Sequence, residues 1–523
     1  MSGNKKSALF IFLIVAELIV FLFITKDSVL TVHDDIITYL QVQRGDLWNT
    51  ALSDAKHGRI CHIPLTYLLY IPYFAKSPIV VRLFSCLSFG FDLSAVYFLF
   101  KKLTDKYFAC LSVIGTISFA CISNQHNLLC AYILGHQIPV GLAMYSMYFL
   151  IRYYEENKRR FLVISSIFFV LSCFLYEASC AYIVMLFILC TSHTVKDKKP
   201  DFKALFKDMR FHITGLSVFF CIYVGWRMIY PSDYDGSKLW FGNIPLSLLA
   251  CFKYSFGMFP CLPAAAVFIK KYISISEIID ALSPAVLVIP LISAAMFYYL
   301  FPKTEAPKNK LKTVSFCFLG IVLPNTIISF TEKYALWAKT GSYSYVTSFY
   351  SYFFLIPLLF FILKMVFKKP LKKPVLIFFS VLVFFVSLTT EISNTAWNSI
   401  FEKKLLKYEA FENAVENDYF DSLPDDAVVF IPDYYGIHGN MDTTETFAHI
   451  FSSSKFDLEN DASLLDFSRP VFCLRYDPKT SAVLIGKIDS SFCSDSVFVI
   501  GKYDIQTDNR FDMMAAFECS KSQ

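Results

Sequence analysis

Eleven apolar runs recur along this chain, most of them close to the roughly 20 residues a helix needs to cross a bilayer. Short stretches bearing Lys and Arg separate them. The runs cover about 7–25, 79–100, 107–123, 128–150, 161–176, 177–192, 213–230, 284–301, 313–330, 347–367 and 374–392. At 55% hydrophobic and 17% charged residues, this is more continuous apolar sequence than soluble folds absorb. The pattern predicts a polytopic membrane protein, all-α in its spanning part. The stretch 161–192 is too long for one ordinary helix, and Tyr176-Glu177 falls at its middle. That placement predicts a tight helical hairpin turning at Glu177.

Orientation follows from the short loops, because Lys and Arg are retained on the cytoplasmic side. Lys101-Lys102, Arg152 with Lys158-Arg159-Arg160, the run Lys196 to Arg210, Lys308 to Lys312 and Lys368 to Lys373 all fall on one side if there are eleven spans. The segment 244–283 tests this parity, since its apolar part 244–269 is long enough to span. Pro245, Lys253, Gly257, Pro260 and Pro263 predict an interrupted re-entrant or interfacial outer segment instead. The N-terminus carries Lys5-Lys6 and then an apolar stretch to Ile24, with no small-x-small pattern before Lys26-Asp27. This reads as a retained anchor with a cytoplasmic N-terminus.

Character changes near residue 400. From Phe401 onward there are 22 acidic and 11 basic residues, whereas the rest of the chain carries 37 basic and 21 acidic. The basic excess sits in loops, which argues for oriented insertion and against nucleic acid as a partner. Residues 401–417 read as a charged helix. Strand-like runs follow at Ala427–Ile431, Pro470–Leu474, Ser481–Ile485 and Ser496–Ile500, with turns at 423–426 and at Asp477-Pro478. The expected organisation is a membrane domain over 1–400, with a first outer loop at 27–78, and a small extracytoplasmic α+β domain over 401–523. Cys473, Cys493 and Cys519 lie in that tail, where one disulfide would leave one thiol over. No cysteine, histidine or acidic spacing matches a metal site, and no P-loop is present.

The unusual polar residues gather on the predicted outer face. The first loop holds His33, Asp34, Asp35, Arg44, Lys56, His57, Arg59 and His62; the third connection holds Asn124, Gln125, His126 and Asn127. Glu177 marks the hairpin turn, Arg227 and Tyr230 end the seventh span, and Lys333 and Tyr343 lie in the loop near 331–346. Charge at a membrane boundary is costly and marks function by default. Simpler readings stand beside these. Asp34-Asp35 suits a helix N-terminus, His57, His62 and His126 suit polar packing, and the tyrosines from Tyr343 to Tyr352 suit an interfacial belt. Arg59 and Arg227 suit headgroup snorkelling as well as phosphate.

A short N-terminal segment, an acidic pair in a long first outer loop, many spans and an outer tail together resemble the GT-C-type glycosyltransferases, especially O-antigen glucosyltransferase-like bacterial proteins. The residues that carry the likeness are Asp34-Asp35, Gly58-Arg59, Pro64-Leu65, the Tyr176-Glu177 turn and the stretch Tyr343 to Tyr352. Ile60-Cys61-His62-Ile63 separates Arg59 from Pro64, where the likeness leads one to expect Arg and Pro side by side. The resemblance implies sugar transfer in the plasma (inner) membrane, from a polyprenyl-phosphate-sugar donor to a cell-surface polysaccharide or lipid-linked glycan acceptor, without a cofactor. It implies Asp34 or Asp35 as general base, Glu177 in support, and Arg59, Arg227 and Lys333 at the phosphate. His62, His126 and Tyr343 complete the candidate substrate-binding set. A transporter or flippase of lipid-linked sugars and a polysaccharide polymerase are the alternatives. A carrier needs polar groups through the bilayer midplane, where Asp92 is the main acid, so the transferase is favoured.

The orientation has a direct test. Reporter fusions after Lys312 and Lys373 should report the cytoplasm, and a fusion after Gln523 the outside. A cytoplasmic signal at Gln523 would overturn the parity argument.

Overall fold

The computed structural model describes residues 3–43, 45–56, 58–75, 77–122, 126–196, 199–231, 236, 238–269, 275–305, 310–367, 371–416, 423–430, 456–459, 464–477, 482–488, 497–503 and 511–518. Arg44, His57, Asn124, Gln125, Pro478, Cys493 and Cys519 lie outside the described residues. The chain divides into two compact units, Met1–Val29 with Gln41–Asn398, and Leu30–Leu40 with Ser399–Gln523.

The helices follow the apolar runs. In order they are α1 (Gly3–Ile24), α2 (His33–Gln43), α3 (Leu47–Lys56), α4 (Thr66–Tyr70), α5 (Pro78–Leu103), α6 (Lys106–Ser118), α7 (Ile138–Glu156), α8 (Arg159–Leu175) and α9 (Ile183–Thr194). A short hairpin, β1 (Val195–Lys196) and β2 (Lys199–Pro200), leads to α10 (Phe202–Ile229). Then come α11 (Ile244–Phe256), α12 (Leu262–Ile269), α13 (Ile275–Asp280), α14 (Val288–Leu300), α15 (Lys310–Ser329), α16 (Glu332–Lys339), α17 (Val346–Val366) and α18 (Lys373–Glu416). Each of the eleven expected runs carries a helix. Among the described residues, seven helical segments are long and apolar enough to cross a membrane, and α1, α6 and α11 contain shorter apolar stretches.

Several boundaries differ from the sequence reading, each for a local reason. Helix α10 begins at Phe202 because Asp201 caps it, accepting from the Ala204 N–H at 3.0 Å. Lys203, Lys207 and Arg210 therefore ride on the helix, and Asp208 accepts from Tyr153 and Tyr154 at 3.0 and 2.9 Å. Segment 244–283 breaks into α11, α12 and α13. The 13 residues of α11 rise only about 20 Å at 1.5 Å each, short of the hydrocarbon core. Tyr176 is extended (φ −152°) and ends α8, so the chain turns at Tyr176-Glu177 into a 3₁₀ stretch Glu177–Tyr182 and then α9.

Close helix contacts use small residues, as membrane packing requires. Gly115 of α6 faces Phe360 and Ile356 of α17, and Gly320 of α15 faces the Phe354 ring. Asn325 of α15 ties three helices together, donating to Ser255 of α11 at 3.2 Å and to Ser351 of α17 at 2.7 Å. The midplane acid Asp92 is fully buried, against Gly141 in the first turns of α7.

The largest departure is the segment 119–137, expected to be mostly helix. Its described residues form turns, and α7 starts only at Ile138. Tyr132 (φ 52°) and Leu134 (φ 65°) adopt the left-handed conformation, which costs a non-glycine residue roughly 1–2 kcal/mol. Side chains, some from distant helices and some from the segment itself, satisfy carbonyls that a helix would have paired internally. Asn394 of α18 donates to Ala120 O at 2.9 Å and accepts from the Ile122 N–H at 2.8 Å. Asn127 donates to Cys121 O at 2.8 Å, Gln137 to Leu128 O, and Tyr350 of α17 to His136 O at 2.7 Å. Leu129 O accepts from Ser85 of α5 at 3.0 Å and from Arg82, which is fully buried and also bonds Thr25 at the end of α1. Irregular backbone at membrane depth is tolerated when it is buried in protein and paired in this way.

In the second unit, β3 (Val428–Phe430), β4 (Asp457–Glu459), β5 (Val471–Asp477), β6 (Ala482–Ile488), β7 (Val497–Tyr503) and β8 (Phe511–Glu518) form one sheet in the order β4-β3-β5-β6-β7-β8. Strand β3 runs parallel to β4 and β5, and the remaining pairs are antiparallel. Val428, Phe430, Val471, Cys473 and Ile488 make its core.

Arg82→Met should remove a charged donor from Leu129 O and Thr25 and loosen 119–137. Leu129 O would keep only the Ser85 hydroxyl, and each lost hydrogen bond from a charged donor is worth about 1.5–3 kcal/mol. Thermal unfolding of the detergent-solubilised protein should show a clear fall in midpoint, and Arg82→Lys should recover little of it. An unchanged midpoint would contradict this role.

Candidate functional site

The site begins where α10 meets the loop after α3. Gly58 has φ +105°, a conformation that suits glycine. A Cβ there would lie 2.5 Å from Arg227 Nη2, so the missing side chain makes room for the guanidinium. Trp226 beside it donates Nε1–H to Ala55 O at 2.7 Å, which anchors the end of α10 to α3. Arg227 itself reaches Lys56 O and the Tyr223 hydroxyl, both at 3.4 Å. The arginine at the end of the seventh expected span is thereby brought to the residue preceding Arg59.

Arg59 is held from its own segment. Its Nη1 lies 3.5 Å from Asp54 Oδ1, and His62 Nδ1 lies 3.1 Å from Asp54 Oδ2 and 2.9 Å from the Tyr70 hydroxyl. Tyr70 also donates to Asp54. A carboxylate only accepts, so an Nδ1–H on His62 is the tautomer that fits. Burial alone would raise the Asp54 carboxyl. The His62 hydrogen bond and charge, the Arg59 guanidinium and the Tyr70 hydroxyl outweigh it, and hold the group well below the ordinary carboxylate range. Burial and the adjacent Asp54 charge push the Tyr70 hydroxyl far up, so it stays a donor.

From this cluster the array continues through 126–137. Gly135 lies against the His62 ring. The His136 ring packs on Tyr176 at 4.9 Å and on Tyr132 at 5.1 Å between centroids. Tyr132 stacks on His126 at 6.2 Å and bonds its Nδ1 at 3.1 Å. His126 meets Trp337 of α16 at 5.9 Å and Tyr345 at 5.8 Å, and Lys333 Nζ lies 4.9 Å over the Trp337 ring. Residues from four distant stretches thus form one line, from Arg227 and Arg59 to Trp337 and Lys333.

Of the residues singled out in the sequence, Arg59, His62, His126, Arg227 and Lys333 all join this line. His62 is buried, at 5% exposure, and is engaged with Asp54 and Tyr70, behind the arginine. Glu177 is partly exposed and follows Tyr176, which packs on His136. Tyr343 presents its backbone oxygen to Gly257, and the ring contacts nearby run through Tyr334, Trp337 and Tyr345. Asp34 and Asp35 lie in the first turn of α2, within the second unit, Asp34 exposed and Asp35 buried. Sequence reasoning passed over Asp54, Tyr70, Tyr132 and His136. Only the spacing of Asp54 to Arg59 and His62 across a turn hinted at the first. Among the described residues, no group of three or more His, Cys, Asp or Glu side chains gathers as a metal site.

No family model and no curated protein matches this chain. Among solved structures, it is similar to ArnT from Cupriavidus metallidurans in the apo state, at 11% identity and a TM-score of 0.41, over 96% of each chain. ArnT bound to undecaprenyl phosphate matches at 12% identity and a TM-score of 0.41, over 95% of this chain and 96% of that one. The archaeal oligosaccharyltransferase AglB from Archaeoglobus fulgidus, in complex with an inhibitory peptide and a dolichol-phosphate, matches at 12% identity and a TM-score of 0.38. That match covers 85% of this chain and 64% of the oligosaccharyltransferase, so the chain spans less than two-thirds of that protein's length.

The depressed Asp54 carboxyl carries a pH signature. A carboxyl lowered in the folded state stabilises the fold fully above its unfolded value, near pH 4, and that stability is lost as pH falls further toward the folded value. Asp54→Asn should therefore cost about 2 kcal/mol at pH 6–8, as for a hydrogen bond to a charged group. The gap to the unsubstituted protein should narrow only below about pH 4. A gap that closes between pH 8 and 6 would contradict the assignment.

Proposed function

We propose that the chain is an integral membrane glycosyltransferase that moves a sugar from a polyprenyl-phosphate donor to a glycan acceptor by a single inverting displacement. The observation that carries this reading is the Arg227 guanidinium seated against Gly58, the residue before Arg59. Arg227 at the end of α10 is thus brought to the chain segment that carries Arg59, and an anionic lipid headgroup is a natural counter-ion for such planar cations. Asp54, backed by His62 and Tyr70, fixes Arg59 in place.

The chemistry then assigns roles. An Asp of the 34–35 pair takes the proton from an acceptor hydroxyl as its oxygen attacks the anomeric carbon. Asp34 is the exposed member and the one accessible to an acceptor; the buried Asp35 orients it. The bond from the anomeric carbon to the phosphate oxygen breaks, and the leaving lipid phosphate keeps the electron pair. Arg59 and Arg227 stabilise the charge that develops there, with Lys333 as a further cation. Glu177, close to the Tyr223 hydroxyl that Arg227 touches, supports this basic cluster. The polyprenyl tail lies along the apolar helices, and the α+β unit guides the acceptor.

Substitution separates this reading from simple helix capping. Asn caps nearly as well as Asp, so a capping role leaves Asp34→Asn, Asp35→Asn active. Loss of a general base costs on the order of 10²–10⁴ in rate. The double variant should lose that much transfer in membranes supplied with a radiolabelled polyprenyl-phosphate sugar, at normal protein level. Arg59→Ala and Arg227→Ala should mainly raise the donor concentration required. Near-normal turnover in the double variant would rule the mechanism out.

A further inference from the structure

We propose that His126, Tyr132, Trp337 and Tyr345 form a stacking wall for a pyranose ring, a saccharide subsite set beside the arginines that face the lipid phosphate. The inference rests on the transferase reading and deepens it. The four rings come from two segments more than 190 residues apart, 126–137 and 332–345, and yet lie edge to edge or face to face. His126 meets Tyr132, Trp337 and Tyr345 at centroid distances of 6.2, 5.9 and 5.8 Å, and Trp337 meets Tyr345 at 5.9 Å. All four keep partial exposure. A core cluster would be closed over, whereas these four side chains stay partly accessible.

The wall is rigid, and its polar groups are fixed. Tyr345 Oη pairs with Tyr334 Oη at 2.8 Å, and Tyr132 Oη with His126 Nδ1 at 3.1 Å. Helix α16 is held from behind, since Lys253 donates to Ala338 O and Tyr254 to Tyr334 O, both at 2.7 Å. On the other side, Tyr132 takes a left-handed backbone. Such strain persists only where the surroundings impose it, and here it turns the ring between His126 and His136. An interfacial belt has no need of either feature.

The chemistry of the wall selects a sugar. A pyranose has C–H-rich faces that match aromatic faces, and rim hydroxyls that match phenols, imidazole and ammonium. Lys333, over the Trp337 ring at 4.9 Å, stands at the rim, where it can reach hydroxyls. The same chemistry serves the donor's sugar or the terminal sugar of the acceptor, and the experiment distinguishes them.

The full chain in nanodiscs is titrated with methyl glucoside, galactoside, mannoside and N-acetylglucosaminide, and ring-proton saturation transfer is recorded by NMR. Separately, retention of undecaprenyl phosphate is measured. At least one pyranoside should show saturation that falls about tenfold in Trp337→Ala and Tyr345→Ala, a loss of about 1.4 kcal/mol in binding, and largely survives in Trp337→Phe. Lipid-phosphate retention should be unchanged in these variants and fall in Arg59→Ala, so failure at the arginines and failure at the wall are read apart. If prebound undecaprenyl-phosphate glucose abolishes the pyranoside signal, the wall takes the donor's sugar; if the signal persists, it takes the acceptor's. No saturation with any pyranoside up to the millimolar range, or equal saturation in Trp337→Ala, would overturn the subsite.

Discussion

The capture of the irregular segment 119–137 by side chains of the membrane helices is the constraint on which the candidate site depends. Backbone in hydrocarbon must pair every N–H and C=O, and an apolar run usually does so by forming a helix. Here Arg82, Ser85, Gln137, Tyr350 and Asn394 take the carbonyls and an amide instead. The helix is replaced by a fixed, folded loop. That exchange carries His126, Tyr132 and His136 into line between the arginine corner and α16, where a continuous helix would have spread them around its circumference.

Charge follows the same logic. Arg59 is not left to find a headgroup unaided; Asp54 anchors it, and His62 and Tyr70 anchor Asp54. Arg227 reaches the same place because Trp226 docks α10 on Ala55 O and Gly58 offers no Cβ to block it. Planar guanidinium groups suit phosphate better than lysines would, because each fork presents its donors in a preset geometry.

Much of the architecture was legible in the sequence. Hydropathy over about 20 residues reports spans directly, and every expected run carries a helix, including the break at Tyr176-Glu177 and the interruption after α11. The alternating runs after Val428 appear as strands of one sheet. The apolar run 128–137 predicts helix because Arg82, Ser85 and Tyr350, which take the Leu129 and His136 carbonyls, lie beyond any local window. Arg59 and Arg227 stand out in the sequence as lone charges at membrane boundaries, but the seat of Arg227 against Gly58 depends on how α10 docks. Asp54 looked like one more acid in a polar helix, and the pairing that sets it apart exists only in three dimensions. The change of unit falls between Asn398 and Ser399, beside the expected break at residue 400, while α18 continues to Glu416 and Leu30–Leu40 groups with the C-terminal unit.

The central claim is that the Arg59–Arg227 corner holds the phosphate of a polyprenyl lipid. Electron cryomicroscopy of the protein in nanodiscs with undecaprenyl phosphate tests it most directly. The account predicts phosphate density within hydrogen-bond reach of both guanidinium groups, about 2.7–3.2 Å, with the polyprenyl tail leaving along the apolar helices. Phosphate density elsewhere in the membrane unit, with Arg59 and Arg227 unengaged, would contradict it.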